Sequence, residues 1–311
     1  MPRELALIAQ IRQQFAHRPT RLIPQGIGDD CAILRPPPGT ELLVTTDFTL
    51  EDRHFRRELH PARVVGHRCL TRGLSDLAAM GATPLAAFLS LALPPNFAKD
   101  LPPNWVKQFL DGLESLAKAS KVTLAGGDTA QSPTNHILAD IVLLGTAPTG
   151  TSIRRSGARP GDLLYVTGQL GAPAAQLRSL LAGGKVRTHH LPQPRLATGR
   201  KLRGKATACI DLSDGLSTDL THLCKASGVH AEIDLAALPI HPSATQDDAL
   251  NGGEDYELLF TAPPTTSIPK SVATQIGRIL KPRRNQPQIV TLAQDGIRVP
   301  LLPGGWEHFT R

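Results

Sequence analysis

The stretch TGTSIRRSGARPGDLLYVTG, residues 149–168, changes character partway along. Residues 149–162 are rich in Gly, Arg and Pro, a composition that suits a connector on the surface rather than a packed element. From Asp162 the run DLLYVTG returns to apolar residues in the manner of a buried strand. The seam divides the chain into residues 1–150 and 151–311, each long enough for its own core.

On both sides of the seam, helical and strand patterns alternate. Upstream, Leu5, Ile8, Ile11 and Phe15 recur at helical spacing. The run ELLVTTD (41–47) reads as a strand, and residues from Pro61 to Met80 as a helix stopped by Gly81. LAAFLSLALP (85–94) is a buried strand, followed by a helix over 103–119 with Trp105, Phe109, Leu113 and Leu116 on its inner face. KVTLAGGD and HILADIVLLGTA are strands. Downstream come a helix over 171–182, a loop with HHLPQPR, a further helix, the strand CIDLS, a helix over 215–227, AEIDL, a helix near 243–250 and the strand YELLFTA. Two mixed domains of α/β (α+β) class follow from this alternation.

Composition sets the outer bounds. With 41% hydrophobic and 20% charged residues the chain is that of a folded protein. Aromatics make up only 4%, which argues against stacked platforms for single-stranded nucleic acid. The net charge of +7 suits anionic ligands, but the basic residues are scattered and form no stripe along which a nucleic-acid backbone could run. Cys31, Cys69, Cys209 and Cys224 lie far apart and form no zinc spacing, so free thiols in a reducing cytoplasm are expected. No leader-like apolar segment opens the chain, and Leu85–Leu93 is too short to span a bilayer.

The chemistry resides in acidic clusters. Asp29 and Asp30 stand in GIGDD, Asp47 in TTD, Asp76 in GLSDLAAMG, Asp128 in AGGDT, and Asp211 and Asp214 in DLSDGL. Small neighbours let a ligand approach the backbone, and short carboxylates suit hard cations such as Mg²⁺. Brought into one cleft they would repel each other and any phosphate, unless divalent metals bridged a polyphosphate. A metal-dependent nucleotide enzyme is therefore expected. Familiar alternatives are absent: there is no GxxxxGK[ST], GIGDDC lacks a third glycine, and DLSDGLSTD places its glycine at position 5 and His222 at position 12, which excludes an EF-hand. Each cluster also has a plain reading. Asp214 suits a helix N-cap, Asp76 a surface pair with Arg72, and Asp47 a turn. His189 and His190 read as a surface pair in a Pro-flanked loop.

Taken in order, GIGDDCAIL, TTDFTLEDRHF, SDLAAMGATP, LAGGDT, RRSGARPGDLLYVTG, DLSDGLSTDL and GGEDYELLF closely resemble the thiamine-monophosphate kinase family, within the aminoimidazole ribonucleotide synthetase-like superfamily. The resemblance runs from about residue 22 to the C-terminus. It implies an ATP-dependent transfer of phosphate to thiamine monophosphate, giving thiamine diphosphate and ADP, the last step in making that cofactor. It also implies a homodimer joined through the N-terminal domains, while composition and cysteine usage lead to the expectation of a cytoplasmic protein with no nucleic-acid or membrane partner.

Position by position, the resemblance makes Asp30, Thr45, Thr46, Asp47, Asp76, Asp128, Asp211 and Asp214 ligands of several Mg²⁺ ions. Gly127, Asp128, Arg155 and Ser213 would touch ATP, and His54, Glu254 and Trp306 would line the thiamine-phosphate pocket. No side chain is assigned as a catalytic acid, base or nucleophile. Within GIGDD, Asp30 is preferred over Asp29, because neighbours in an extended segment point to opposite faces. Glu254 is read as opening the strand EDYELLF, with an edge charge as its plain alternative. Trp306 has a core plug, and Arg155 a surface arginine, as theirs. The chain departs from the family pattern at Leu50-Glu51-Asp52-Arg53, where Val-Glu-Gly is usual, and at Leu110, where the resemblance implies a tyrosine by the adenine. Rival expectations are a related ATP-dependent ribonucleotide cyclase or synthetase, and a non-catalytic binder of thiamine phosphate or nucleotide.

Overall fold

The computed structural model describes residues 3–16, 18–282, 289–294 and 296–309. They form two compact units: Met1–Leu77 with Ala82–Gly150, and Ala78–Gly81 with Thr151–Arg311.

In the first unit the chain runs α1 (Arg3–Gln14), β1 (Thr40–Leu50), α2 (Ala62–Ala79), β2 (Thr83–Leu93), the short α3 (Phe97–Asp100), α4 (Trp105–Ser120), β3 (Thr123–Gln131) and β4 (Leu138–Pro148). The strands form one sheet in the order β1-β4-β2-β3. β4 is antiparallel to both β1 and β2, whereas β3 lies parallel to β2 because α4 carries the chain back between them. α4 buries Trp105, Phe109, Leu113 and Leu116 as its periodicity predicts, together with Leu110.

α2 and α4 approach each other backbone to backbone. A Cβ on Gly66 would lie 1.8 Å from the Phe109 carbonyl oxygen, and one on Gly112 would lie 2.0 Å from that of Arg63. Hydrogen alone fits at either position. α2 is held against its neighbours by this crossing, about 15 Å along its axis from Asp76.

The second unit continues with β5 (Leu163–Val166), α5 (Ala172–Leu181), α6 (Leu196–Leu202), β6 (Ala208–Asp211), α7 (Leu216–Ser227), β7 (His230–Asp234), α8 (Gln246–Asn251), β8 (Leu258–Ala262), β9 (Thr274–Leu280), β10 (Val290–Gln294) and β11 (Ile297–Pro300). Its sheet has the order β11-β10-β7-β9-β5-β8-β6, antiparallel throughout except for β10 beside β7. Leu216, Leu220 and Leu223 of α7 pack on Leu164, Ile210, Ile233 and Leu259 of that sheet in one apolar core.

Two expectations need correction here. EDYELLF does not begin as a strand at Glu254. Residues 252–257 form a loop in which Glu254 (φ 68°) and Tyr256 (φ 51°) adopt left-handed backbone, and β8 starts only at Leu258. Asp214 does not cap α7 either; Gly215 holds the cap position, with φ 121° and no side-chain bond.

Candidate active site

The first unit gathers oxygen donors on the face of β1 that meets α2. Strand alternation buries Leu43 and Thr49 on this face and sets Thr45 and Asp47 between them. Thr45 donates its hydroxyl proton to Asp76 Oδ2, so the α2 carboxylate and the β1 hydroxyl share one spot. Asp76 is flanked by the buried Ser75 and Leu77, which makes it more than a surface partner of Arg72. Nearby, burial pushes the Cys69 thiol up to about 12, with smaller contributions from neighbours that include Asp140 and Asp47. Cys69 is thus a neutral core residue.

Thr46 does not join this face. The same alternation turns it to the outer side of the sheet, where its hydroxyl donates to Asp140 Oδ1 at 2.7 Å.

GIGDD is not extended, so alternation is not what separates its two carboxylates; Gly28 takes φ 136° and the segment bends. Asp29 is engaged locally, accepting from the Asp30 N–H at 2.9 Å and from Gln25 Nε2 at 2.8 Å, and these bonds hold its carboxyl below the usual range. Asp30 is exposed at the tip. Asp128 lies on the exposed edge strand β3, opposite Ser90, and accepts from the Thr129 N–H at 2.8 Å. The preceding Gly127 takes φ 151° with its Cα pressed on β2. Ile8 and Ile11 of α1, with Ile27, Leu89 and Leu124, wall a small cleft that ends at Gly127, Asp128 and Thr129.

In the second unit, β6 ends on the buried Asp211, and the turn Leu212–Gly215 leads into α7. Asp219, which sequence reasoning did not single out, organises that turn. Its Oδ2 accepts the backbone N–H groups of Ser213, Asp214 and Gly215 at 3.1, 3.0 and 3.1 Å. Burial pushes its carboxyl up to about 8, reinforced by the charges of Asp214 and Asp211. Ligand atoms of Asp214, Asp219 and His222 lie within 4.8 Å of one another. The sequence signal was a carboxylate in the first turn of a helix, set between Leu216 and Leu220, where a buried acid requires partners.

The residues assigned to substrate fall in both units. His54 belongs to the first: its Nδ1 accepts from the Leu50 N–H at 2.9 Å while its own N–H returns to the Leu50 carbonyl at 2.8 Å. An accepting Nδ1 places the neutral ring's proton on Nε2. Glu254 and Trp306 belong to the second, and both are bonded to the same turn. The Glu254 N–H donates to the Ser213 carbonyl at 2.9 Å and the Trp306 N–H to the Asp214 carbonyl at 2.9 Å. Trp306 is 47% exposed and meets His308 edge-on at 5.7 Å, so it plugs no core.

The Arg155 loop lies beside β6, where the Cys209 N–H donates to the Arg154 carbonyl at 2.9 Å, and it is also fixed to Ser227 at the C-terminal end of α7. There the Ser227 hydroxyl donates to the Arg155 carbonyl at 3.0 Å and accepts the Gly157 and Ala158 N–H groups at 3.2 Å each. Leu110 is fully buried within α4 and presents nothing to a nucleotide.

The donors assigned to metal are carboxylates and hydroxyls, the set a hard divalent cation prefers, and no thiol or imidazole is among them. Among the described residues no helix is long and apolar enough to cross a membrane.

Comparison with known proteins agrees with this architecture. Residues 28–147 match the AIR synthase related protein N-terminal domain and residues 159–288 its C-terminal domain. Thiamine-monophosphate kinase of Escherichia coli (strain K12) is 40% identical over 84% of this chain and 82% of its own length. The crystal structure of thiamine-monophosphate kinase from Stenotrophomonas maltophilia K279a superposes with a TM-score of 0.80 at 35% identity, covering 94% of this chain and 96% of that one. A second solved structure, AaThiL complexed with AMPPCP and TMP, gives 0.77 at 31% identity over 98% and 97% of the two chains. With likeness of this extent across both of its halves, the chain belongs to the thiamine-monophosphate kinase family.

Proposed function

We propose that this protein transfers the γ-phosphoryl group of ATP to the phosphate of thiamine monophosphate, releasing ADP and thiamine diphosphate. The observation that carries the reading is the convergence of Thr45, Asp47 and Asp76 on one face of the first unit, in a chain similar over nearly its whole length to a relative solved with AMPPCP and TMP. The acceptor is a phosphate oxygen that is largely ionised near neutral pH, so no strong general base is needed. That agrees with a site in which every assigned histidine, carboxylate and hydroxyl serves to hold and orient.

In the first unit Asp30, Thr45, Asp47, Asp76 and Asp128 would hold Mg²⁺, and in the second Asp211 and Asp214 would do so. The bound cations would neutralise the charge on nucleotide and acceptor phosphates. Thr46 contributes on this reading through its backbone at most, since its hydroxyl faces Asp140. Gly127 would offer its backbone to a phosphate, and Ser213 presents its hydroxyl from the turn that Asp219 fixes. His54, with its proton on Nε2, is a donor for the acceptor phosphate. Glu254 suits the cationic thiazolium, and the exposed Trp306 face suits a ring of the thiamine moiety.

A homodimer through the first unit is part of the same proposal. The outer face of β1 exposes Leu42 (47%), Val44 (62%) and Phe48 (61%), an apolar stripe of the kind that marks an interface. A cytoplasmic location is proposed with it, in keeping with four free cysteines, three of them buried.

The test is formation of thiamine diphosphate from ATP, thiamine monophosphate and Mg²⁺, with EDTA and Asp47→Asn as controls. Product that disappears in both controls is expected. Nucleotide binding without product would instead favour a binder on the same scaffold, and turnover of a ribonucleotide alone would favour a synthetase.

A further inference from the structure

The Gly304-Gly305-Trp306 segment lies as a flat strap across the first turn of α7. Its successive N–H groups all find acceptors there: Gly304 on Ser217 Oγ at 3.1 Å, Gly305 on Thr218 Oγ1 at 3.1 Å, and Trp306 on the Asp214 carbonyl at 2.9 Å. The fit leaves no room for side chains. A Cβ on Gly305 would fall 2.1 Å from the Asp214 carbonyl oxygen, and one on Gly304 would fall 2.7 Å from Asn251 Oδ1.

The two hydroxyls are not ordinary helix serines and threonines. Such side chains usually turn back to a carbonyl of the preceding turn, as Thr221 does toward Ser217 at 2.8 Å. Ser217 instead donates to Asn251 Oδ1 at 2.7 Å, and Asn251 is in turn fixed by its Nδ2 on Asp247 Oδ1 at 2.7 Å. With its proton committed to Asn251, Ser217 Oγ faces Gly304 as an acceptor. Ser217 is fully buried and Thr218 nearly so, at 8% exposure. Two buried hydroxyls thus hold a C-terminal strap whose next residue is a half-exposed tryptophan.

We propose that Ser217 and Thr218 are positioning residues for the thiamine end of the substrate. They clamp the strap so that the Trp306 ring is presented beside Glu254, whose own N–H is held by the adjacent Ser213 carbonyl. The inference rests on the reading that Trp306 meets the thiamine moiety. It goes further by making consecutive carbonyls of the nucleotide-side turn, those of Ser213 and Asp214, the common anchor of both thiamine-side residues. Neither hydroxyl touches substrate, so their loss acts on presentation of the ring and leaves the transfer step intact.

The experiment compares Ser217→Ala, Thr218→Val, the double variant, Thr218→Ser and Trp306→Ala in the full chain. Steady-state kinetics in each substrate is paired with acrylamide quenching of tryptophan emission. Trp306 is accessible to quencher, whereas Trp105 is 4% exposed and gives a constant background. The double variant is expected to raise KM for thiamine monophosphate about tenfold, with kcat and KM for ATP within about twofold. Its Trp306 emission should become more quenchable, and Thr218→Ser should restore both readouts relative to Thr218→Val. If Trp306→Ala raises that KM and the double variant does not, the clamp is refuted while the substrate reading stands. If Trp306→Ala leaves it unchanged, the substrate reading fails and the proposal with it. A double variant that loses kcat and both KM values in parallel with thermal stability assigns the hydroxyls to folding alone, and the proposal is overturned.

Discussion

Replacing Gly127 by alanine tests how β3 delivers Asp128. In the parallel pairing of β2 and β3, Gly127 stands opposite Leu89, and a Cβ there would lie 1.9 Å from the Leu89 carbonyl oxygen and 2.7 Å from its carbon. Both are backbone atoms, so no side chain can swing aside. Bringing the contact beyond 3.0 Å means opening the strands by more than 1 Å. That breaks one or two ladder bonds at about 1 kcal/mol each and adds about 1–2 kcal/mol for an L-residue held near φ 151°. The sum is about 2–4 kcal/mol, or, at about 3 °C per kcal/mol, a fall of about 6–12 °C in Tm for a domain of this size. Gly39→Ala is the matched control: it shares the positive φ, at 71°, but nothing lies within 4 Å of its added carbon. It should lose only the conformational term, about 1–2 kcal/mol. Differential scanning calorimetry and urea titration of both variants provide the comparison. Equal losses in the two would refute the claim that strand contact, rather than backbone conformation, requires glycine at 127.

Other perturbations follow from the same coordinates. Burial pushes the Asp255 carboxyl up to about 8, against the Gly171 N–H bonds that favour its charged form. Its folded pKa exceeds the unfolded value, so the folded chain holds the extra proton between about pH 4 and 8 and stability falls as pH rises through that window. Asp255→Asn should reduce this slope by about one proton in metal-free denaturant titrations; an unchanged slope would refute it. Arg195→Ala strips the bidentate partner from the buried Glu257, leaving Thr167 as its remaining side-chain donor. With Arg195 itself partly exposed, a loss of about 2–3 kcal/mol is expected, and Glu257→Gln in the same chain should recover part of it. Phe48→Glu places a charge on the exposed β1 stripe and should shift the sedimenting species from dimer to monomer without lowering Tm by more than a few degrees.

The alternation of helix and strand was readable because apolar periodicity is local, and α4 buries each inner-face residue that its spacing proposed. Thr45, Asp47 and Asp76 were legible as types within motifs, but which of them share a face depends on strand alternation. A motif string does not separate Thr46 from Thr45, whereas two-residue periodicity sends Thr46 to Asp140. The strand start was set too early, at Glu254, because EDYELLF runs unbroken into the apolar LLF, whereas left-handed backbone at Glu254 and Tyr256 accompanies bonds to Ser213 and Leu212 that are remote in sequence. Asp52 stands where the family pattern has glycine and takes φ 62°, a conformation that aspartate tolerates better than most residues. β9, β10 and β11 escaped notice because TQIGRIL carries glycine and arginine within its run, and the last two are short, β11 at the sheet edge and β10 beside it. Asp219 was hidden for a different reason. Its role is to accept three amides, and amides leave no mark in a sequence.

The crossing of α2 and α4 bears on how genetic screens of this protein will read. At positions 66 and 112 a methyl group would collide with a neighbouring carbonyl, and neither glycine is among the residues assigned to metal or substrate. In a saturation library scored only by growth, these two silent glycines should appear as intolerant as Asp47 or Asp76. The two classes separate when protein abundance is scored alongside. Glycine variants disappear from the soluble pool, while carboxylate variants accumulate as folded, inactive chains.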